Sequence, residues 1–245
     1  MAFTYYKKRI FDPKSEKPFE LSRTKIDMFF QCPRCFYMDR RLGISQPSIP
    51  AFTLNKAVDE LLKREFDIHR KAQTTPEILQ KYNIDAVPFN HPDMDIWRDN
   101  FKGVRFYHIP TNFEVFGAID DLWIDKQGKI IVVDYKATST IKEISLDDKW
   151  KQGYKRQMEI YQWLLKSNGL NVSDVGYFLF CNAKADKDHF GAKLEFETML
   201  LPHKGENGWV EDILFKAKQC LMSEQIPDQT PGCEYCKYAQ AVKKI

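Results

Sequence analysis

Residues 117–138 read GAIDDLWIDKQGKIIVVDYKAT, and this stretch decides the fold that we expect for the chain. It covers most of two β-strand candidates, residues 113–125 and 129–138, which are joined by the short connection Lys126-Gln127-Gly128. A short connection that contains glycine is typical of a β-hairpin. The run IIVV, residues 130–133, is apolar on both faces of its strand, which indicates a position inside a sheet.

Each predicted strand carries a charged residue where its apolar face should continue. Side chains alternate along a strand, so Asp134 and Lys136 share a face with Ile130 and Val132. Asp120 interrupts the apolar row on the preceding strand in the same way. An unpaired charge is costly to bury. A cation beside Asp134 would offset that cost, and the hairpin can bring Asp120 close to it.

Two carboxylates and a lysine suit metal-assisted hydrolysis of a phosphodiester bond. Carboxylate oxygens are preferred ligands of Mg²⁺ and Mn²⁺. Such a metal polarises the phosphate and lowers the pKa of an attacking water, while the Lys136 ammonium orients that water or neutralises charge on the phosphate. A lone Asp-x-Lys also occurs where an ion pair closes a strand at the surface. Asp120, which follows Gly117 on the neighbouring strand, favours the metal site.

The two strands resemble the core of the PD-(D/E)XK nucleases, in particular their RecB-like branch. That branch carries G-x-x-D followed by D-x-K, which match Gly117 with Asp120 and Asp134 with Lys136. The resemblance implies a restriction-endonuclease-like α/β core, with a mixed central sheet flanked by helices. It also implies that Asp120 and Asp134 hold the metal, together with the Tyr135 carbonyl, and that Lys136 assists catalysis.

Two helices predicted on either side of the hairpin extend the resemblance. Gln157 and Tyr161, in the helix predicted over residues 152–168, match the branch's Q-x-x-x-Y motif. Residues four apart share a helix face, and the resemblance implies that both position the nucleic acid. The branch also has a metal-binding histidine on an early helix. The best-matching position is Asp59, in the helix predicted over residues 54–70, with an aspartate exposed on the helix surface as the alternative.

Four of the six cysteines form two C-x₂-C pairs at opposite ends of the chain, Cys32 with Cys35 and Cys233 with Cys236. Two such pairs are typical of a tetrathiolate metal site. A shared metal would join the two ends and couple folding to metal binding. The remaining two cysteines are expected to be buried free thiols.

The segments around these pairs resemble the iron–sulfur members of the same branch, which include the AddB nuclease domain and the CRISPR-adaptation nucleases. Those proteins place one cysteine before the core and three after it, around a [4Fe-4S] cluster. In this chain Cys35 is an additional N-terminal thiol, and Val242 lies near the place of the last cysteine. On this resemblance we expect a [4Fe-4S] cluster, with Zn²⁺ as the alternative.

The sequence as a whole has a globular composition, with 43% apolar residues and a formal net charge of +3. We expect a single domain over residues 1–245, with its termini joined by the four-cysteine site. No apolar run approaches the roughly 20 residues of a membrane span, and the N-terminus has no secretory signal. The sequence therefore predicts a cytoplasmic protein with no membrane partner, and it does not indicate any protein partner.

Together these features predict a Mg²⁺- or Mn²⁺-dependent deoxyribonuclease that acts on DNA ends or on single strands. Basic residues interleaved with Trp150 and Tyr154 suit phosphate contacts and base stacking, with a solvated helix start as the alternative. A second hypothesis is a non-catalytic nucleic-acid-binding or assembly module that retains the nuclease fold. A third, a purely structural zinc protein, leaves Asp120, Asp134 and Lys136 unexplained.

Overall fold

The computed structural model of the chain describes residues 9–48, 50 and 52–243. The strands are β1 (Phe19–Ser22), β2 (Ala86–Pro88), β3 (Val104–His108), β4 (Phe113–Gly117), β5 (Asp121–Asp125), β6 (Ile130–Thr138), β7 (Val175–Ala183) and β8 (Phe196–Lys204). The helices are α1 (Arg23–Gln31), α2 (Pro33–Arg40), α3 (Thr53–Ala72), α4 (Glu77–Lys81), α5 (Met94–Trp97), α6 (Gln152–Ser167), α7 (Trp209–Met222) and α8 (Glu234–Val242).

The chain divides into two compact units. The first combines the described residues up to 48 with Arg105–Phe116 and with those from Gly208 onward. It contains α1, α2, α7 and α8, and a three-stranded sheet in the order β1-β4-β3, in which β1 runs parallel to β4. The second unit comprises Pro50–Val104 and Gly117–Asn207. The prediction of a single domain stays a prediction.

The second unit is built on a five-stranded mixed sheet in the order β2-β5-β6-β7-β8. β6 is the central strand of this order, and it runs antiparallel to β5 and parallel to β7. Side chains alternate along β6, so Ile131, Val133 and Tyr135 join the apolar core that contains Phe66 of α3. The α/β architecture and the mixed sheet flanked by helices confirm the predicted fold class.

The predicted strand over residues 113–125 is wrong in one respect that matters for the site. It is two strands in two different sheets, because β4 ends at Gly117 and β5 begins at Asp121. Asp120 therefore lies in the connection, and it does not interrupt the apolar face of a strand. Gly103 permits this path: with φ of +63°, a Cβ there would lie 2.5 Å from the carbonyl oxygen of Gly117.

Other elements agree with the sequence in type and differ in detail. The helix predicted over residues 54–70 is confirmed as α3. Its buried positions are Leu62, Phe66 and Arg70, which follow an i, i+4 spacing, whereas Leu54 and Leu61 are exposed by 60% and 62%.

Candidate active site

The connection between β4 and β5 is held so that the Asp120 carboxylate meets β6. The backbone N–H of Ile119 donates to the Trp97 carbonyl at 3.1 Å, and Arg98 Nε donates to the Asp120 carbonyl at 3.0 Å. The backbone N–H of Tyr135 donates to Asp120 Oδ2 at 2.9 Å. These bonds place Asp120 beside the strand that carries the D-x-K motif.

Asp134 is fully buried and lies on the β6 face opposite the α3 core. Its carboxylate forms an ion pair with Lys136. Apart from this ion pair, neither oxygen of Asp134 has a hydrogen-bond donor among the described residues. Buried carboxylates are costly unless they are paired or coordinate a metal, so Asp134 has the electron pairs that a cation would use. The donor set fits a hard divalent ion.

Lys136 is held by groups on α6 as well as by the carboxylates. Its Nζ donates to Gln157 Oε1 at 3.4 Å and lies 4.4 Å from the centre of the Tyr154 ring. Burial lowers the pKa of Lys136, but Asp134 and Asp120 raise it by more, so that the net pKa lies above its ordinary value. The lysine therefore remains an ammonium ion at neutral pH.

Gln157 and Tyr161 lie together, as the four-residue spacing predicts. Gln157 Nε2 donates to the Tyr161 hydroxyl at 3.1 Å, and Gln157 Oε1 faces Lys136. Tyr161 is buried, whereas Gln157 is half-buried. In this structure the pair is therefore connected to the lysine of the D-x-K motif.

Asp59 approaches the same place from α3. Asp59 Oδ2 accepts a hydrogen bond from Lys63 at 2.8 Å, and Lys63 Nζ lies 3.9 Å from Asp120 Oδ1. Burial and the neighbouring Asp120 raise the pKa of Asp59. Burial and Asp134 raise the pKa of Asp120 to about 6. Asp59, Lys63, Asp120 and Lys136 all line one cavity of about 330 Å³.

A buried charge network behind the site is absent from the sequence-based predictions. Asp121, fully buried, forms ion pairs with Arg70 and Arg98, the latter at 3.2 Å, and accepts a 2.6 Å hydrogen bond from the Tyr135 hydroxyl. Arg98 also pairs with Asp67 at 2.8 Å. The two arginines of the network also donate to the carbonyls of Asp120 and Leu122. The doubled aspartate of GAIDD is the signal in the sequence that points to this network.

The four outer cysteines of the first unit form a cluster. Cys35 Sγ lies 3.6 Å from both Cys233 Sγ and Cys236 Sγ, Cys32 Sγ lies 3.8 Å from Cys236 Sγ, and all four atoms lie within 4.8 Å of one another. Cys32 and Cys233 are the N-caps of α2 and α8, whereas burial raises the pKa of the Cys35 and Cys236 thiols. This cluster can bind a metal.

Cys32 is the thiol that the surrounding peptide groups favour most as a thiolate. Burial raises its pKa, but backbone N–H groups of Thr230 and Cys35 lower it by more, to about 7. The two remaining cysteines lie outside the cluster. Cys181 is buried as predicted, whereas Cys220 is only half-buried.

A family model described as the PD-(D/E)XK nuclease superfamily matches residues 20–241. The chain belongs to this superfamily. Membership implies a nuclease with a nucleic-acid substrate, and nucleases of this superfamily usually use divalent metals.

Two further comparisons add little to this assignment. A solved structure titled "Crystal structure of SSO0001" is similar, with 18% identity, a TM-score of 0.42, and coverage of 93% of this chain and 86% of that one. No curated protein matches the chain. None of the helices in the described part of the chain has the length and apolar character of a membrane span.

Proposed function

We propose that this protein is a Mg²⁺- or Mn²⁺-dependent deoxyribonuclease of the RecB-like branch, acting on DNA ends or single strands. The observation that carries the proposal is Asp134, a fully buried carboxylate beside Asp120 that has no hydrogen-bond donor among the described residues apart from the ion-paired Lys136. The position of Gln157 and Tyr161 on α6 supports the assignment to the branch, because Gln157 contacts Lys136 and donates a hydrogen bond to Tyr161.

In this proposal Asp120 and Asp134 hold the metal, together with the Tyr135 carbonyl and Asp59. The bound ion would polarise the phosphate and acidify water. The Lys136 ammonium, kept charged by both carboxylates, orients the attacking water or neutralises charge on the phosphate oxygens. Gln157 and Tyr161 position the substrate and Lys136.

The test is cleavage of end-labelled linear and of circular single-stranded DNA with Mg²⁺ or Mn²⁺, beside RNA and duplex substrates. Asp134→Asn and Lys136→Ala should each reduce cleavage by about 100-fold or more, with the circular dichroism spectrum of the parent. Asp188→Asn, at an exposed position, is the matched control and should cleave normally. Parent-like cleavage by both site variants would contradict the assignment. No metal-dependent cleavage by the parent would favour the non-catalytic binding module.

For the cysteine site, we propose a single Zn²⁺ ion ahead of the [4Fe-4S] cluster that the resemblance favours. Four thiolates about 2.3 Å from a tetrahedral ion lie roughly 3.8 Å apart, which agrees with three of the six sulfur separations, at 3.6–3.8 Å, while all six are within 4.8 Å. A four-iron cluster holds its thiolates around a core of eight atoms, and it would require the sulfurs to move apart. The two-plus-two arrangement of cysteines is also that of zinc sites.

Metal analysis of anaerobically purified protein tests this choice. A colourless protein with one zinc per chain is the expected result. A brown protein with about four irons per chain would instead favour the [4Fe-4S] cluster.

A further inference from the structure

A second cavity adjoins the proposed catalytic lysine. It has a volume of about 320 Å³, and it shares Lys136, Ala137 and Tyr154 with the cavity that is lined by Asp59 and Asp120. Trp150 and Phe180 supply its aromatic walls. A group in this cavity would therefore lie next to the site at which the phosphodiester is cleaved.

Trp150 is the feature that gives this cavity a stacking surface. Its side chain is 63% exposed, although tryptophan carries a large apolar ring. The rings of Trp150 and Tyr154 meet edge-on at 5.5 Å, and the Tyr154 ring centre lies 4.4 Å from Lys136 Nζ. An aromatic path therefore leads from the lysine to an open indole face.

The charges around the cavity suit a phosphate backbone. Lys136, Lys142 and Lys151 line it, together with Glu143 and Asp148. Lys151 is buried, pairs with Asp148 at 2.9 Å and donates to the Ser145 carbonyl at 2.6 Å, so Lys136 and the exposed Lys142 are the lysines that would face a phosphate. A ring beside ammonium groups is the combination that proteins use to bind unpaired nucleotides, with stacking on the base and charge on the phosphate.

We infer that this cavity is a nucleotide subsite, in which an unpaired base stacks on Trp150 while the adjoining phosphate faces Lys136. The inference rests on the proposed nuclease function and specifies its substrate as a strand with unpaired bases. A base inside a duplex cannot stack on the indole, because neighbouring base pairs cover both of its faces.

Binding without cleavage tests the subsite directly. Labelled oligonucleotides are titrated with the protein in Ca²⁺, and affinity is measured by fluorescence anisotropy. Trp150→Ala should weaken binding of single strands by about tenfold or more, whereas Trp150→Phe should retain most of the affinity. Phe190→Ala is the matched control, because Phe190 is 74% exposed and lies outside this cavity. An abasic strand should bind the parent weakly, and Trp150→Ala should bind it with the same affinity as the parent.

The outcomes separate this inference from the proposed function. Equal affinity of parent and Trp150→Ala for single strands, with cleavage intact in the parent, would overturn the subsite alone. The subsite would also be overturned if Trp150→Ala weakened the binding of blunt duplex and of single strands to the same extent. Equal affinity for DNA and RNA single strands, lowered equally by Trp150→Ala, would support the subsite and contradict the preference for DNA. A parent that neither binds nor cleaves any strand would contradict the proposed function itself.

Discussion

Lys63 donates a hydrogen bond of 2.8 Å to Asp59, one helical turn earlier on α3. Its Nζ also lies 3.9 Å from Asp120 Oδ1, so a positive charge lies between two of the proposed metal ligands. Lys63→Met keeps the apolar stem and removes the charge. We expect it to bind Mn²⁺ roughly two- to tenfold more tightly, because the attraction of the carboxylates for the ion is no longer opposed.

Electron paramagnetic resonance of Mn²⁺ titrated into nucleic-acid-free protein measures this change. Lys71→Met, at an exposed position near the end of the same helix, should leave the affinity unchanged. Weaker binding by Lys63→Met would show that the lysine orients the carboxylates rather than competing with the metal.

The raised pKa of Asp120 predicts how pH and metal binding change the stability of the protein. Ionisation of this carboxylate should destabilise the metal-free fold, and a bound metal should stabilise it. Burial and Asp134 raise this pKa from 3.8 to about 6, so the folded state binds the proton more tightly than the unfolded state. The resulting stabilisation is present below the unfolded value and is lost as the pH rises through about 6. At higher pH, with no metal bound, the ionised carboxylate should cost on the order of 1–3 kcal/mol.

Asp120→Asn should therefore raise the melting temperature in EDTA at about pH 8, and the gain should disappear toward about pH 4. Mg²⁺ should raise the melting temperature of the parent and leave that of Asp120→Asn unchanged, because binding to the folded state alone stabilises it. Thermal unfolding with and without Mg²⁺ at both pH values measures both effects. A lower melting temperature of the variant in EDTA would contradict the assignment.

The active-site strand could be predicted from sequence because its information is local. The periodicity of β6 placed Asp134 and Lys136 on one face, and the four-residue spacing placed Gln157 beside Tyr161. Asp120 was predicted to lie on a continuous strand, whereas it lies in the connection between β4 and β5. The break after Gly117 depends on the approach of Gly103 and on a hydrogen bond from Ile119 to Trp97, and neither leaves a periodic pattern in the sequence.

Ion pairs between residues far apart in the chain could not be predicted from the sequence either. The sequence around Arg70 and Arg98 does not distinguish them from surface arginines, yet both form ion pairs with Asp121. Removing one partner of such a buried network leaves uncompensated charges. Asp121→Ala should therefore lower the free energy of unfolding by about 3–5 kcal/mol, as measured by urea denaturation. Asp95→Ala, an exposed control, should change it by less than about 0.5 kcal/mol. A parent-like value for Asp121→Ala would show that the network contributes little.

The contact between Gln157 and Lys136 separates positioning from substrate binding. Tyr161→Phe removes the hydroxyl that accepts the hydrogen bond from Gln157, and Gln157→Met removes the acceptor that faces Lys136. If both residues act through the lysine, each variant should lower kcat roughly two- to tenfold with little change in KM. Steady-state cleavage of a labelled single strand measures both constants. A raised KM with normal kcat would instead favour the direct contact with nucleic acid that the family resemblance implies.

The cysteine cluster should couple metal binding to the stability of the first unit. Cys35 and Cys236 are 201 positions apart in the chain, so a shared ion closes a very long loop. Removal of the ion with a strong chelator should lower the melting temperature by roughly 5 °C or more, and zinc should restore it. Cys233→Ser should reduce the metal content and respond weakly to the chelator. Cys220→Ser is the matched control, because that half-buried thiol lies outside the cluster. An unchanged melting temperature after complete removal of the metal would contradict a structural role for the site.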